Sequence, residues 1–364
     1  PTCWLPAAAS ATAGSLMASS VFAGTLYMGG WPKDILVVDE GSRKVVDRIV
    51  TKTGIPRNLQ LSADRKKLYV STGDKDGIEV IDIATRKVIS SFILDDGNKR
   101  VRFNGFAPDP KDEVLYTITT TAIKEIDRWV LEPPKFSVID IKQQKIIKQV
   151  DYPKEDANAF ARFSNLQVSP DGKFLYQFRD QIYIFDTATF KLVEKIDLAK
   201  PTYPGMMNVG FGGSLDSIEE PGFHTSIFNA QDPIVHRRIF GIVRFDLTKR
   251  TFDFKPVGPQ TGGMMGLHIT PDKTKGFTVA SQGTQGNRRT EFWELDLTTG
   301  KLLKTQEFPG RSRFYFALST DGKELYVYGA GYELDIYDAQ TMQKKQTVDL
   351  NTDITTSMVA LPGR

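Results

Sequence analysis

The stretch SPDGKFLYQFRDQIYIFDTATFKLVEKIDL, residues 169–198, contains the unit from which the whole chain is built. It reads as a turn, a strand, a second strand closing on an aspartate, another turn and a third strand. Ser169, Pro170, Asp171 and Gly172 supply the turn: proline presets a backbone angle, aspartate bonds back to nearby N–H groups, and glycine takes a positive φ without penalty. Leu175 and Tyr176 then open an apolar run, Ile182 to Asp186 forms the next, and Lys191 starts another five residues beyond Asp186.

The same β-rich run closing on aspartate recurs at Asp39, Asp82, Asp140, Asp186, Asp246, Asp296 and Asp338, at steps of 42 to 60 residues. A lysine five positions on recurs as Lys44, Lys87, Lys145, Lys191 and Lys301. The turn at 169–173 has a close copy at 319–323 and weaker ones around Asp64, Asp109 and Asp272. Each repeat is therefore strand A, a Pro/Asp/Gly turn, strand B, a variable loop, strand C ending in Asp, a turn, and strand D. Helical periodicity is absent. Seven four-stranded units at this period define an all-β fold, a seven-bladed β-propeller. The first repeat has no strand A before residues 26–30, while one strand-like run, 355–361, remains after the last. That run is expected to pair into blade 1 and close the ring, so that 24–364 form one domain.

Composition agrees. Apolar residues make up 40% and charged residues 25%, a soluble globular balance. Lys and Arg (47) nearly match Asp and Glu (44), with no long run of like charge, which argues against a nucleic-acid binder. One cysteine, Cys3, permits no internal disulfide and no c-type haem attachment pair, and with His224, His236 and His268 it builds no metal cluster. These histidines read as surface or satisfied polar residues. No catalytic set stands out, and no cofactor is expected in this chain. Residues 1–23 are rich in Ala, Ser and Thr and end Val21-Phe22-Ala23, either a secretory signal or an N-terminal arm. No later stretch is apolar for the ~18 residues of a membrane span.

If strand A is innermost, the D-to-A and B-to-C loops share one face, and it collects the irregular segments: 117–135, 202–223 and 282–290, with the strand entries 52–57, 95–102, 152–162 and 309–313. Arginine recurs near the start of strand A as Arg57, Arg102, Arg162 and Arg313. These either ring the channel mouth, suited to a carboxylate, phosphate or acidic protein surface, or pair with acids across the blades. Phe314, Tyr315 and Trp129 join them as candidates for a partner or ligand face. Asp74-Lys75-Asp76-Gly77 has a calcium-loop look but no later acidic ligand, and reads as a turn. The glycine-rich run 209–213 is not followed by a helix and is no phosphate loop.

The run 128–138, Arg-Trp-Val-Leu-Glu-Pro-Pro-Lys-Phe-Ser-Val, resembles an element before strand C in the propeller β subunit of quinohemoprotein amine dehydrogenases. So does the last blade, from Arg313-Phe314-Tyr315-Phe316 through Ser319-Thr320-Asp321-Gly322 to the Thr356-Ser357-Met358 tail. Elsewhere the likeness is to YVTN-type propellers in general, and blade 5, with its loop 201–233, departs from the pattern. The resemblance implies a periplasmic complex in which a dihaem cytochrome c subunit and a small quinone-bearing subunit do the chemistry, while the propeller is scaffold and active-site wall. A lone propeller lactonase or hydrolase and a self-standing interaction propeller remain open alternatives, since the fold hosts all three.

Overall fold

The computed structural model describes residues 23–363 apart from 154–164, 179–180, 200–205, 212–221, 261, 285, 312 and 330. Arg162 and the N-terminal segment 1–22 therefore lie outside the described residues. Every regular element among the described residues is a strand, and they form seven antiparallel sheets. No helix is long and apolar enough to cross a membrane.

Blade 1 holds β1 (Thr25–Gly30), β2 (Asp34–Asp39) and β3 (Lys44–Val50); blade 2 holds β4 (Pro56–Leu61), β5 (Lys67–Thr72), β6 (Ile78–Asp82) and β7 (Lys87–Phe92). Blade 3 is β8 (Lys99–Pro108), β9 (Val114–Lys124), β10 (Trp129–Leu131), β11 (Lys135–Asp140) and β12 (Lys145–Asp151). Blade 4 is β13 (Asn165–Val168), β14 (Phe174–Phe178), β15 (Gln181–Asp186) and β16 (Leu192–Asp197); blade 5 is β17 (Met207–Phe211), β18 (Phe223–Gln231), β19 (Arg238–Asp246) and β20 (Thr251–Pro259). Blade 6 is β21 (Gly263–Met264), β22 (His268–Ile269), β23 (Lys275–Gln282), β24 (Arg289–Asp296) and β25 (Leu302–Phe308); blade 7 is β26 (Tyr315–Leu318), β27 (Glu324–Tyr328), β28 (Glu333–Asp338) and β29 (Lys344–Asp349).

The last strand, β30 (Val359–Leu361), is the inner strand of blade 1, with Thr25 opposite Leu361 and Tyr27 opposite Val359. Only these three residues of the expected run 355–361 form the strand; the rest is tied to β1 by side chains and single bonds. Gly29 N–H donates to Thr356 Oγ1 at 2.8 Å, Thr355 N–H to the Gly29 carbonyl at 2.8 Å, and Gly30 bridges Ile354.

The turn between strands C and D obeys one rule in all seven blades. The aspartate carboxylate accepts the backbone N–H three residues on, from Ser42, Thr85, Gln143, Thr189, Lys249, Thr299 and Thr341, at 2.6–2.9 Å. The fourth residue takes a left-handed φ, and only blade 6 spends a glycine there, Gly300, while Arg43, Arg86, Gln144, Phe190, Arg250 and Met342 serve elsewhere. These bonds hold the carboxyls below the usual carboxylate range. The turns between strands A and B repeat a second motif: a Ser or Thr hydroxyl donates to the aspartate two residues on, as in Ser62 to Asp64, Ser169 to Asp171, Thr270 to Asp272 and Ser319 to Asp321.

Apolar residues bury themselves at the seven seams between neighbouring blades, each seam with its own cluster. Leu26, Met28, Tyr326 and Ile336 belong to the 7–1 seam, and Phe136, Leu175 and Phe185 to the 3–4 seam. A polar strap runs along the same seams. At one register position of strand B stand Tyr27, Tyr69, Tyr116, Tyr176 and Tyr326, each reaching a turn of the next blade. They meet Arg86, Asp112, Thr187, the Leu247 carbonyl and Glu40 respectively. Thr225 and Phe277 occupy the position in blades 5 and 6, which lack this strap.

Candidate functional site

Strand A runs from one face of the disc to the other, so the D-to-A and B-to-C loops define an upper face and the A-to-B and C-to-D turns a lower one. One sequence-based placement is corrected here. Residues 202–223 do not all lie on the upper face, because β17 is the inner strand of blade 5 and carries the chain downward. Strand B of the blade, β18, starts from the lower face at Phe223. The inner strand was hidden in a glycine-containing run, Met207-Asn208-Val209-Gly210-Phe211, whose register shifts between Met207 and Gly210.

Apart from those on the outer D strands and Ile93 just after β7, the large exposed apolar side chains among the described residues lie on the upper face. They sit on B-to-C loops: Trp31 in blade 1, Ile126, Trp129, Val130 and Leu131 in blade 3, Ile234 and Val235 in blade 5, and Tyr332 in blade 7. Blade 3 contributes most because β9 extends and folds back on β10, with Leu131 opposite Ala122 and Trp129 opposite Lys124. Lys124 places its ammonium 6.0 Å from the Trp129 ring centre. Among the described residues, no large exposed apolar side chain lies in a lower-face turn.

The inner strands enclose a cavity of about 830 Å³, lined from blades 1 to 5. Arg57 and Asp76 stand at its upper end, and Ser62, Arg65, Pro110 and Gly222 at its lower end. Arg57 opens the inner strand of blade 2 and is exposed. Arg102, also exposed, puts Nε 3.6 Å from Asp76 Oδ1. Burial pushes the Asp76 carboxyl above its ordinary range, against the opposing pull of Arg102 and Arg57.

The structure thus joins Arg57 and Arg102 around one acid. Arg313 belongs to another cluster, with Tyr315 and Asp353, and its charge is reinforced first by the Tyr315 hydroxyl. Phe314 and Tyr315 are half-buried in the propeller's own packing: Phe314 meets Phe308 edge-on at 6.0 Å, and Tyr315 stacks on Tyr328 at 5.6 Å. Gly329, at φ 87°, leaves the room Tyr315 needs, since a Cβ there would lie 2.9 Å from the ring. Of the residues proposed from sequence, Arg57, Arg102, Arg313 and Trp129 are the exposed ones among those described.

Some structural groups went unnoticed in the sequence. Arg311, two residues before Arg313, binds Asp335 at 2.7 Å, and Glu79 accepts the Thr53 N–H at 2.7 Å and the Thr53 hydroxyl at 2.9 Å. Asp335 and Glu79 sit three residues before the closing aspartate of their blades, an acid where the strand otherwise turns a side chain inward. That break in the pattern was the available signal. His224 and His268 are not on the surface: both are buried, with one ring nitrogen bonded to Gln167 and to the Phe316 carbonyl respectively, while His224 Nε2 and His268 Nδ1 have no hydrogen-bond partner among the described residues. Burial lowers both to about 4. No group of three metal-ligating side chains occurs among the described residues.

No family model matches the chain. Antigen Lp49 of Leptospira interrogans is 28% identical over 161 residues, 42% of this chain and 30% of that protein, so the chain spans less than a third of the curated protein it matches. Among solved structures it is similar to hydrazine synthase of Kuenenia stuttgartiensis, with TM-score 0.50 and 16% identity over 83% of this chain and 88% of that one. The dihydro-haem d1 dehydrogenase NirN in complex with DHE gives 0.50 and 12% over 93% and 75%, and apo AztD from Citrobacter koseri 0.52 and 12% over 94% and 99%. At such identities the likeness shows the fold alone. The chain is a seven-bladed β-propeller whose ring is closed by its C-terminal strand.

Proposed function

We propose that this chain is a non-catalytic propeller subunit of an exported electron-transferring complex, and that its upper face docks a cytochrome c-like subunit and a small quinone-bearing subunit. The observation that carries the reading is the gathering of exposed aromatic and aliphatic side chains on the upper face, foremost on the blade 3 hairpin. Aromatic anchors of this kind supply most of the energy where interfaces form. The same hairpin holds part of the segment that resembles the amine dehydrogenase β subunit, residues 128–138. A propeller of similar fold is found in NirN, a protein named for its haem d1 chemistry, which supports a haem-bearing partner. Quinone and haem would then reside in the partners, where the electrons are carried.

The test is purification of the chain from its native source with its partners attached. A haem-bearing polypeptide and a small quinone-bearing one are expected to co-purify, and the isolated chain is expected to be colourless and inactive toward amines. Stoichiometric haem or quinone on the isolated chain, or hydrolase activity from it, overturns the reading.

A further inference from the structure

The cavity has the size of a small-molecule site, about 830 Å³. Its walls mix apolar surface from Leu59, Phe103 and Phe106 with the amides of Asn58, Gln60 and Gln167. Among the described residues its charged lining is Arg57 and Asp76 above and Arg65 below.

The upper end is an incomplete ion pair. A guanidinium and a carboxylate that engage fully meet at about 2.8 Å, yet Arg102 and Asp76 stand 3.6 Å apart. Arg57 forms no ion pair or side-chain hydrogen bond among the described residues. It is pressed across Gly73, where a Cβ would come 2.5 Å from its Nε. Two guanidinium groups thus face one carboxylate. That carboxylate is poorly held: Asp76 has φ 45°, a left-handed angle uncommon outside glycine, and burial disfavours its charged form. Asp95, whose charge also bears on Asp76, is already engaged by Arg100 at 2.5 Å and by the Val101 N–H at 2.9 Å. Lower on the wall, Gln167 lines the cavity and keeps its amide oxygen buried with no partner among the described residues.

We propose that the upper mouth of this cavity binds a small organic carboxylate, whose carboxylate lies between Arg57 and Arg102 in competition with Asp76 and whose body enters the cavity toward Gln167. Asp76 is then a built-in placeholder that keeps the mouth closed to weak anions. The site needs no partner subunit and does not rest on the docking role proposed above.

Calorimetric titration of the full chain with succinate and mandelate tests this, with succinamide and mandelamide as uncharged counterparts. Saturable binding of the acids is expected, with the amides much weaker. Arg57→Gln and Arg102→Gln should each weaken it about tenfold or more, about 1.4 kcal/mol. Asp76→Asn should tighten it severalfold, whereas Asp353→Asn, which removes an acid beside Arg313, should leave it unchanged. Both arginines are exposed, and an unchanged melting curve shows that each variant is folded. Equal binding of acids and amides, indifference to both arginine changes, tightening by Asp353→Asn as large as by Asp76→Asn, or no saturable binding of either acid at millimolar concentration overturns the proposal.

Discussion

The two faces of this disc are made of the same strands and follow different rules. Below, the C-to-D turn is closed the same way in all seven blades, and most A-to-B turns repeat one Ser/Thr-to-Asp bond. Above, each connection differs from the next, and the exposed apolar residues gather there. A short turn closed by its own carboxylate tolerates little variation, whereas a loop that only has to return the chain to the next strand accepts almost any content. The lower face is therefore where the sequence writes the fold, and the upper face is where it is free to write something else.

The sharpest way to break the comparison is at the closure. Removing residues 355–364 takes away β30 and the Thr355 and Thr356 bonds to Gly29, leaving blade 1 with an open inner edge. Cooperative melting, followed by circular dichroism, should be lost; an unchanged melting temperature would show that the other seams hold the ring unaided.

Next in size is a pH effect. His224 and His268 are neutral when folded, with values lowered to about 4, and an unfolded chain takes up their protons near 6.5. Their contribution is complete above pH 6.5 and is lost as pH falls through about 4, at about 3 kcal/mol each. The turn aspartates act later, since their lowered values make their share disappear only below the ordinary carboxylate range. Denaturant melts between pH 7 and 4 should show a decline that the double variant H224F/H268Q flattens.

A smaller loss is expected on the lower rim. Glu40 accepts from Thr320 N–H at 2.9 Å, from the Thr320 hydroxyl, and from Tyr326 at 2.9 Å, clasping blade 1 to blade 7. Glu40→Ala strands the buried Tyr326 hydroxyl and should cost about 2 kcal/mol, read from urea unfolding. On the upper face, Ile126→Ser or Trp129→Ser should change stability by no more than about 0.5 kcal/mol while weakening assembly with the co-purifying partner. A comparable stability loss from either would erase the distinction between the faces.

What could be read in advance followed the same division. The blade count and the closing strand were legible because Asp39 through Asp338 repeat a local device, and local devices leave a local mark. Leu26-Tyr27, Leu68-Tyr69, Leu115-Tyr116, Leu175-Tyr176 and Leu325-Tyr326 also repeat, but their partners are in the next blade, so the strap was visible only as an aromatic habit. The site was legible in part. Arg57 and Arg102 stood out by position, but Asp76 read as an ordinary turn residue, because its role depends on two side chains from other strands. Phe314 and Tyr315 stood out as aromatic residues, but that they also pack on Phe308 and Tyr328 was not visible in the sequence. Aromatic composition cannot tell a seam from a docking surface.

The three-residue β30 also puts a clock on this molecule. Tyr27 is made early and its partner Val359 only 332 residues later, so at synthesis rates of about 5–20 residues per second blade 1 waits on the order of tens of seconds for its fourth strand. Through that interval β1 presents an unpaired edge, and Glu40 has no Thr320 to hold. A copy whose blades form before β30 reaches β1 is a horseshoe and not yet a ring, and until Val359 meets Tyr27 its edge is open to mispairing with other chains.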